Sequence, residues 1–205
     1  MNTLIIIDAQ NDFMPGGSLA VPDGDKIIPI INALQEHFDL VIATQDWHPE
    51  DHGSFASAHA GKQAFDKTQL NGLEQILWPD HCVQKSKGAD FHPDLEQASI
   101  EAIFRKGMDP GIDSYSGFYD NGHKKNTGLT GYLRERGAKE LYFCGLAADV
   151  CVQYSVRDAI REGFSARLIT DATRAIDDDA FKDIRQELKE KGCRMMQSDE
   201  LIRST

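Results

Sequence analysis

Short apolar runs ending on polar or small residues recur along this chain, and they constrain its fold more than any other feature. They are Thr3-Leu4-Ile5-Ile6-Ile7-Asp8, Leu40-Val41-Ile42-Ala43-Thr44, Ala102-Ile103-Phe104-Arg105-Lys106, Leu141-Tyr142-Phe143-Cys144 and Ala166-Arg167-Leu168-Ile169-Thr170. Most are continuous rather than alternating, as in strands covered on both faces. Between them lie windows with helical apolar spacing. One runs from about Asp25 to His37, with Ile27, Ile28, Ile31 and Leu34 on one face, and Pro29 placed most easily in its first turn. Others run from Thr127 to Arg136, from near Cys151 to the stop at Gly163, and from Asp178 to Lys191 before Gly192, with a last strand over Cys193–Gln197. Strands alternating with helices imply an α/β fold, a parallel sheet with right-handed crossovers and helices on both faces. Such sheets bind ligands outside the strand carboxyl ends, near the reversal of strand order. Asp8, Asp46, Lys106 and Cys151 all stand at or just after those predicted ends.

Composition narrows the class. The chain has 205 residues and reads as one domain over 1–205, long enough for a sizeable core. Its net charge of −11 argues against a broad nucleic-acid or anionic-membrane surface. No apolar run approaches the roughly 20 residues needed to cross a bilayer. Cys82, Cys144, Cys151 and Cys193 are scattered without a paired spacing, and no basic leader precedes Leu4. The expectation is a reduced, cytoplasmic protein.

Residues 45–92 form a long excursion with few helix or strand signals, and long excursions of this kind tend to be functional. Phe55, Phe65, Leu73, Ile76 and Trp78 are expected to anchor it to the core.

The stretch Phe143-Cys144-Gly145-Leu146-Ala147-Ala148-Asp149-Val150-Cys151 reads as a strand end, a turn and a helix start, with Asp149 as the helix cap. Cys151 then lies in the first helical turn, where free N–H groups and the macrodipole favour a thiolate. With Asp8 and Lys106 it makes a first constellation: a thiol nucleophile, an ammonium that stabilises its anion, and a carboxylate that can accept the thiol proton and return it to a leaving group. N–H groups between Ala147 and Cys151 could hold an oxyanion. The same residues would equally serve as a structural ion pair beside a packed cysteine.

A second constellation is Asp46, His48, His52 and His81. Asp46 and His48 are two apart and share a face if extended, whereas His81 comes from Trp78-Pro79-Asp80-His81-Cys82. Carboxylate plus imidazole suits a divalent metal such as Zn, Mn or Fe, and also suits capping or core histidines.

Taken together, Ile7-Asp8-Ala9-Gln10-Asn11-Asp12-Phe13, Pro15-Gly16-Gly17-Ser18-Leu19, Gln45-Asp46-Trp47-His48-Pro49, His52-Gly53-Ser54-Phe55-Ala56, Leu77-Trp78-Pro79-Asp80-His81-Cys82-Val83, Lys106-Gly107, Asp113-Ser114-Tyr115-Ser116-Gly117-Phe118 and Gly145-Leu146-Ala147-Ala148-Asp149-Val150-Cys151 span nearly the whole chain. With these motifs in this order the chain resembles the nicotinamidase/pyrazinamidase branch of the isochorismatase-like cysteine hydrolases.

The resemblance implies a three-layer α/β/α fold with a six-stranded parallel sheet. It implies a catalytic triad of Asp8, Lys106 and Cys151, and an oxyanion site at a cis Leu146–Ala147 peptide. It implies metal ligands Asp46, His48 and His81, with His52 as a further ligand or a neighbour behind them. Phe13, Trp78 and Tyr115 would line a pyridine pocket. One divalent ion is expected, zinc first, iron or manganese otherwise. The implied substrates are nicotinamide and pyrazinamide, with no nucleic-acid or membrane partner, and a homo-oligomer is compatible with the resemblance. Two rival readings are a related hydrolase of another small amide or vinyl ether, and a non-catalytic small-molecule binding protein. Ala148 stands where many relatives carry Thr, and Val150 where others carry aromatic or His residues.

Overall fold

The computed structural model describes residues 1–203. A six-stranded sheet has the order β5-β2-β1-β6-β7-β8, with β1 Asn2–Ile7, β2 Leu40–Asp46, β5 Ile100–Lys106, β6 Glu140–Gly145, β7 Ser165–Thr173 and β8 Arg194–Met196. Every pairing in it is parallel. Successive residues of a strand face opposite sides. Leu4 and Ile6 accordingly join the core under α1 (Ile28–Gln35), and Ile5 and Ile7 join the core under α2 (Leu129–Glu135), α3 (Gln153–Arg161) and α4 (Asp178–Glu190). The continuous apolar runs are thus explained by burial on both faces. A short α5, Asp199–Ile202, follows β8.

Strand order reverses at β1. From there the chain steps outward to β2 and β5 on one side and to β6, β7 and β8 on the other. Ile7 pairs with Gly145, and Asp46 pairs with Lys106, so the sheet register sets four functional positions along one edge of the sheet. Gly145 is obligatory there. Its φ is +105°, and a Cβ would lie 2.0 Å from the Ile7 carbonyl oxygen.

Several expectations are corrected. The window from Asp25 divides into a 3₁₀ turn, Gly24–Ile27, and α1, with Pro29 in the first helical turn where no N–H is needed. The excursion contains an antiparallel hairpin, β3 Lys67–Leu70 and β4 Leu73–Ile76, which its weak apolar alternation concealed. Phe55 and Trp78 anchor the excursion, but Phe65 is 59% exposed. Asp149 caps no helix. Its carboxylate accepts the N–H groups of Ile176 and Asp177 at 3.0 and 2.9 Å, tying the turn after β6 to the approach to α4.

Candidate active site and metal centre

Asp8 follows the central strand, Lys106 ends β5 and Cys151 lies in the turn after β6. The Lys106 ammonium stands 2.9 Å from Asp8 Oδ2 and 3.5 Å from Cys151 Sγ, and it donates to the Ser114 carbonyl at 3.0 Å. All three side chains are buried. Thr44 on the neighbouring strand donates its hydroxyl to Asp8 Oδ1 at 2.6 Å. Asp8 itself adopts a left-handed backbone at φ +46°, which aims the carboxylate across the strand ends.

The electrostatics differ from the sequence expectation. Cys151 lies within a π-helical turn, Ala148–Val152, and α3 begins only at Gln153. Burial pushes its thiol well above the ordinary range, and the Lys106 charge offsets this only in part. The resting group is therefore a thiol, and its ionisation needs an acceptor. Asp8 stands where it could accept that proton: burial raises its carboxyl above the ordinary range, against the opposing pull of Lys106, and it hydrogen-bonds the thiol. Ala147 and Cys151 line the cavity in front of the thiol, and the Leu146–Ala147 peptide is cis.

Beside this group stands a second one. Asp46 Oδ2 lies 3.0 Å from His48 Nε2 and 3.4 Å from His81 Nε2. His48 Nδ1 donates to the Gly107 carbonyl at 2.9 Å, and His81 Nδ1 donates to the Pro79 carbonyl at 2.7 Å. In the neutral tautomer that each bond selects, the Nε2 lone pair is the one left to ligate a metal ion. Asp46, His48 and His81 therefore fit a divalent metal ion. Gly107, at φ +67°, backs this site: a Cβ would fall 2.4 Å from His48 Cε1 and 3.0 Å from Asp46 Oδ1.

His52 is set apart. Its Nδ1 accepts the Ser54 N–H at 3.2 Å, so its neutral form carries the proton on Nε2. Burial, then the His48 charge, lower its pKa to about 4. Its ring packs 4.3 Å from that of His48, and with His48 and Asp113 it forms a second group whose ligand atoms lie close enough to hold an ion.

A cavity joins the two groups. Phe13, Trp78 and Tyr115 form its aromatic walls, and Asp46, His81 and Cys151 its polar end. Leu19, Asp113, Val150 and Ile176 also line it; sequence reasoning had not assigned them there. Asp113 opens the run Asp113-Ser114-Tyr115-Ser116-Gly117-Phe118, but nothing local distinguishes a pocket carboxylate from a turn-forming one. Gln10 was also missed as a support: its amide bonds both the N–H and the carbonyl of Asp46, each at 2.8 Å. Among the described residues no helix is long and apolar enough to cross a membrane.

The Isochorismatase domain family matches residues 2–200. The nicotinamidase of Escherichia coli (strain K12) is 49% identical over 177 residues, covering 84% of this chain and 83% of that protein. The solved structure of the Acinetobacter baumanii nicotinamidase/pyrazinamidase superposes with a TM-score of 0.95 at 45% identity, covering 98% of this chain and 97% of its own. The pyrazinamidase of Pyrococcus horikoshii in complex with zinc gives a TM-score of 0.79 at 37% identity, covering 96% of this chain and 98% of its own. The motif resemblance and the six-stranded α/β/α fold are both borne out by these relatives.

Proposed function

This chain belongs to the isochorismatase family, and on that premise we propose that it is a metal-dependent cysteine amidohydrolase converting nicotinamide to nicotinate and ammonia, and pyrazinamide to pyrazinoate. The observation that carries this reading is one aromatic cavity bounded by Cys151 at one wall and by Asp46 and His81 at another. Asp46, His48 and His81 would hold the ion, zinc in this reading, which supplies a Lewis-acid anchor for the substrate's ring nitrogen. The remaining steps belong to the chain's own residues.

Phe13, Trp78 and Tyr115 hold the flat ring and exclude water. Asp8 takes the Cys151 proton as sulfur attacks the carboxamide carbon. The N–H groups of Ala147 and Cys151 hold the resulting oxyanion. Collapse expels ammonia, protonated by Asp8, and leaves a thioester on Cys151. Asp8 then takes a proton from water, whose oxygen attacks the thioester, and returns the proton to sulfur as the carboxylate departs. Lys106 keeps Asp8 ionised at the start of each cycle. A cytoplasmic setting suits four buried free cysteines, one of them the nucleophile.

The test is ammonia release from nicotinamide and pyrazinamide by purified, metal-restored protein, run beside a panel of other small amides. Turnover of both carboxamides is expected. No turnover of either, with metal present at stoichiometry, overturns the substrate assignment.

A further inference from the structure

We propose that Gln75, a residue outside the cavity, is the positioning residue that sets the cavity's aromatic wall and through it the enzyme's discrimination among ring carboxamides. The inference rests on the function proposed above and names the part of this chain that shapes the substrate subsite.

Gln75 lies on β4 in the hairpin that stands outside the main sheet. It is buried, although the flanking hairpin residues are half-buried or exposed. Its Nε2 shares two hydrogens among three acceptors: the Ile76 carbonyl at 2.7 Å, Asp113 Oδ2 at 3.0 Å and the Tyr115 hydroxyl at 3.0 Å. A carboxylate and a carbonyl on this side dictate the orientation of the amide, since the reversed group would set oxygen against oxygen. The Tyr115 hydroxyl also accepts the Trp78 indole N–H at 3.3 Å.

Gln75 thus joins Asp113 and Tyr115, two residues of the cavity wall, and reaches a third, Trp78, through the same phenol oxygen. The rings of Trp78 and Tyr115 meet edge to face with centroids 6.1 Å apart. Phe65, despite its exposure, also meets Trp78, with centroids 6.0 Å apart and again edge to face. The indole makes both ring contacts, and the phenol is held by the amide.

The phenol oxygen has a further consequence. It receives two N–H donors, so its own hydrogen must point elsewhere. No protein acceptor faces that hydrogen among the described residues, and burial raises the pKa of the phenol, which keeps the hydrogen in place. Gln75 thereby turns the Tyr115 hydroxyl into a donor available to a bound ring or to the water beside it. Losing Gln75 frees the phenol to rotate and leaves the Asp113 carboxylate without one of its partners. Neither change touches Cys151, Asp8 or Lys106, so the loss falls on ring binding and not on the chemical step.

The experiment compares metal-loaded wild type, Gln75→Leu, Tyr115→Phe and the double variant on nicotinamide, pyrazinamide and ring-methylated nicotinamides. Gln75→Leu is expected to raise KM for nicotinamide about tenfold, to change kcat less than about twofold, and to narrow the preference for unsubstituted over methylated rings. In the Tyr115→Phe background the same substitution should change KM little, because its effect passes through the hydroxyl. A structural role alone would lower kcat and metal content and raise KM together, in both backgrounds. Should Gln75→Leu not fold, Gln75→Asn keeps a buried amide but falls one methylene short of Tyr115, and the same KM shift is expected. Unchanged KM and selectivity in a folded variant overturns the inference. An inactive wild type would instead overturn the proposed function, and the two failures are distinguished by that control.

Discussion

Lys106 Nζ lies 3.0 Å from Asp46 Oδ1 while it also pairs with Asp8, so a single buried ammonium joins the thiol group to the metal-binding group. The sequence suggested two separate constellations. In the folded chain they share Lys106, and Asp46, one of the three groups that could hold a metal ion, is also a counter-ion of that ammonium. Both carboxylates hold the Lys106 pKa well above its ordinary range, against the cost of burial.

Removing that ammonium leaves Asp8 and Asp46 buried without their cation. Breaking a buried pair in this way typically costs about 3–5 kcal/mol. Lys106→Met is expected to lower the urea-unfolding free energy by an amount of that order and to abolish ammonia release. A variant of undiminished stability would mean that water screens the two carboxylates.

Cys151→Ala should reduce kcat for nicotinamide by about 10⁴-fold or more and leave metal content unchanged. Asp8→Asn should do the same, because the buried thiol then lacks its proton acceptor. In the wild type, kcat/KM should fall on acidification as Asp8 takes up a proton, with the fall centred above the ordinary carboxylate range because burial raises that group. Initial-rate profiles against pH check this. An acid limb below pH 4 would contradict it.

The histidines should separate by metal content. His48→Ala and His81→Ala are expected to yield protein with little bound metal after dialysis. His52→Gln should retain near-stoichiometric metal, since His52 Nδ1 accepts from Ser54 and its Nε2 carries the proton. Elemental analysis of the purified variants decides it, and loss of metal in His52→Gln would make His52 a direct ligand.

His52 also predicts an acid sensitivity in metal-free protein. Its folded pKa of about 4 lies below the unfolded value of 6.5, so the unfolded chain binds more protons between these limits. The corresponding stability is present above pH 6.5 and is lost as pH falls toward 4, by up to about 3 kcal/mol. Urea titrations from pH 7 to 4 should show this slope, and His52→Gln should flatten it.

Gly107→Ala places a methyl group against the His48 ring and forces a side chain onto a left-handed backbone. A cost of about 1–3 kcal/mol is expected from the backbone alone. Metal retention should fall with it, measured by thermal unfolding and elemental analysis. A fully metal-loaded, stable alanine variant would show that the loop relaxes away.

The strands and crossovers were legible in the sequence because each depends on local pattern. Leu4 to Ile7 and Leu141 to Cys144 are apolar at every position, and only burial on both faces accommodates that. Asp8, Asp46, Lys106 and Cys151 were legible as site candidates because strand ends of such sheets share one rim. Helix and strand limits moved by a few residues, and the π-helical turn around Cys151 had no local signal.

What the sequence could not decide depends on distances between residues far apart in the chain and on the removal of water. The protonated resting thiol follows from desolvation, which no motif encodes. The proton position on His52 follows from the Ser54 N–H, and the joining of the two groups follows from the sheet register that sets Lys106 beside Asp46. Gln75 was invisible in a polar hairpin until Tyr115 and Asp113, some 40 residues on, were packed against it. Pattern alone thus determined the layers and the candidate chemistry. Register and burial, which exist only in the folded chain, decided which groups hold protons, which can hold metal and which shape the cavity.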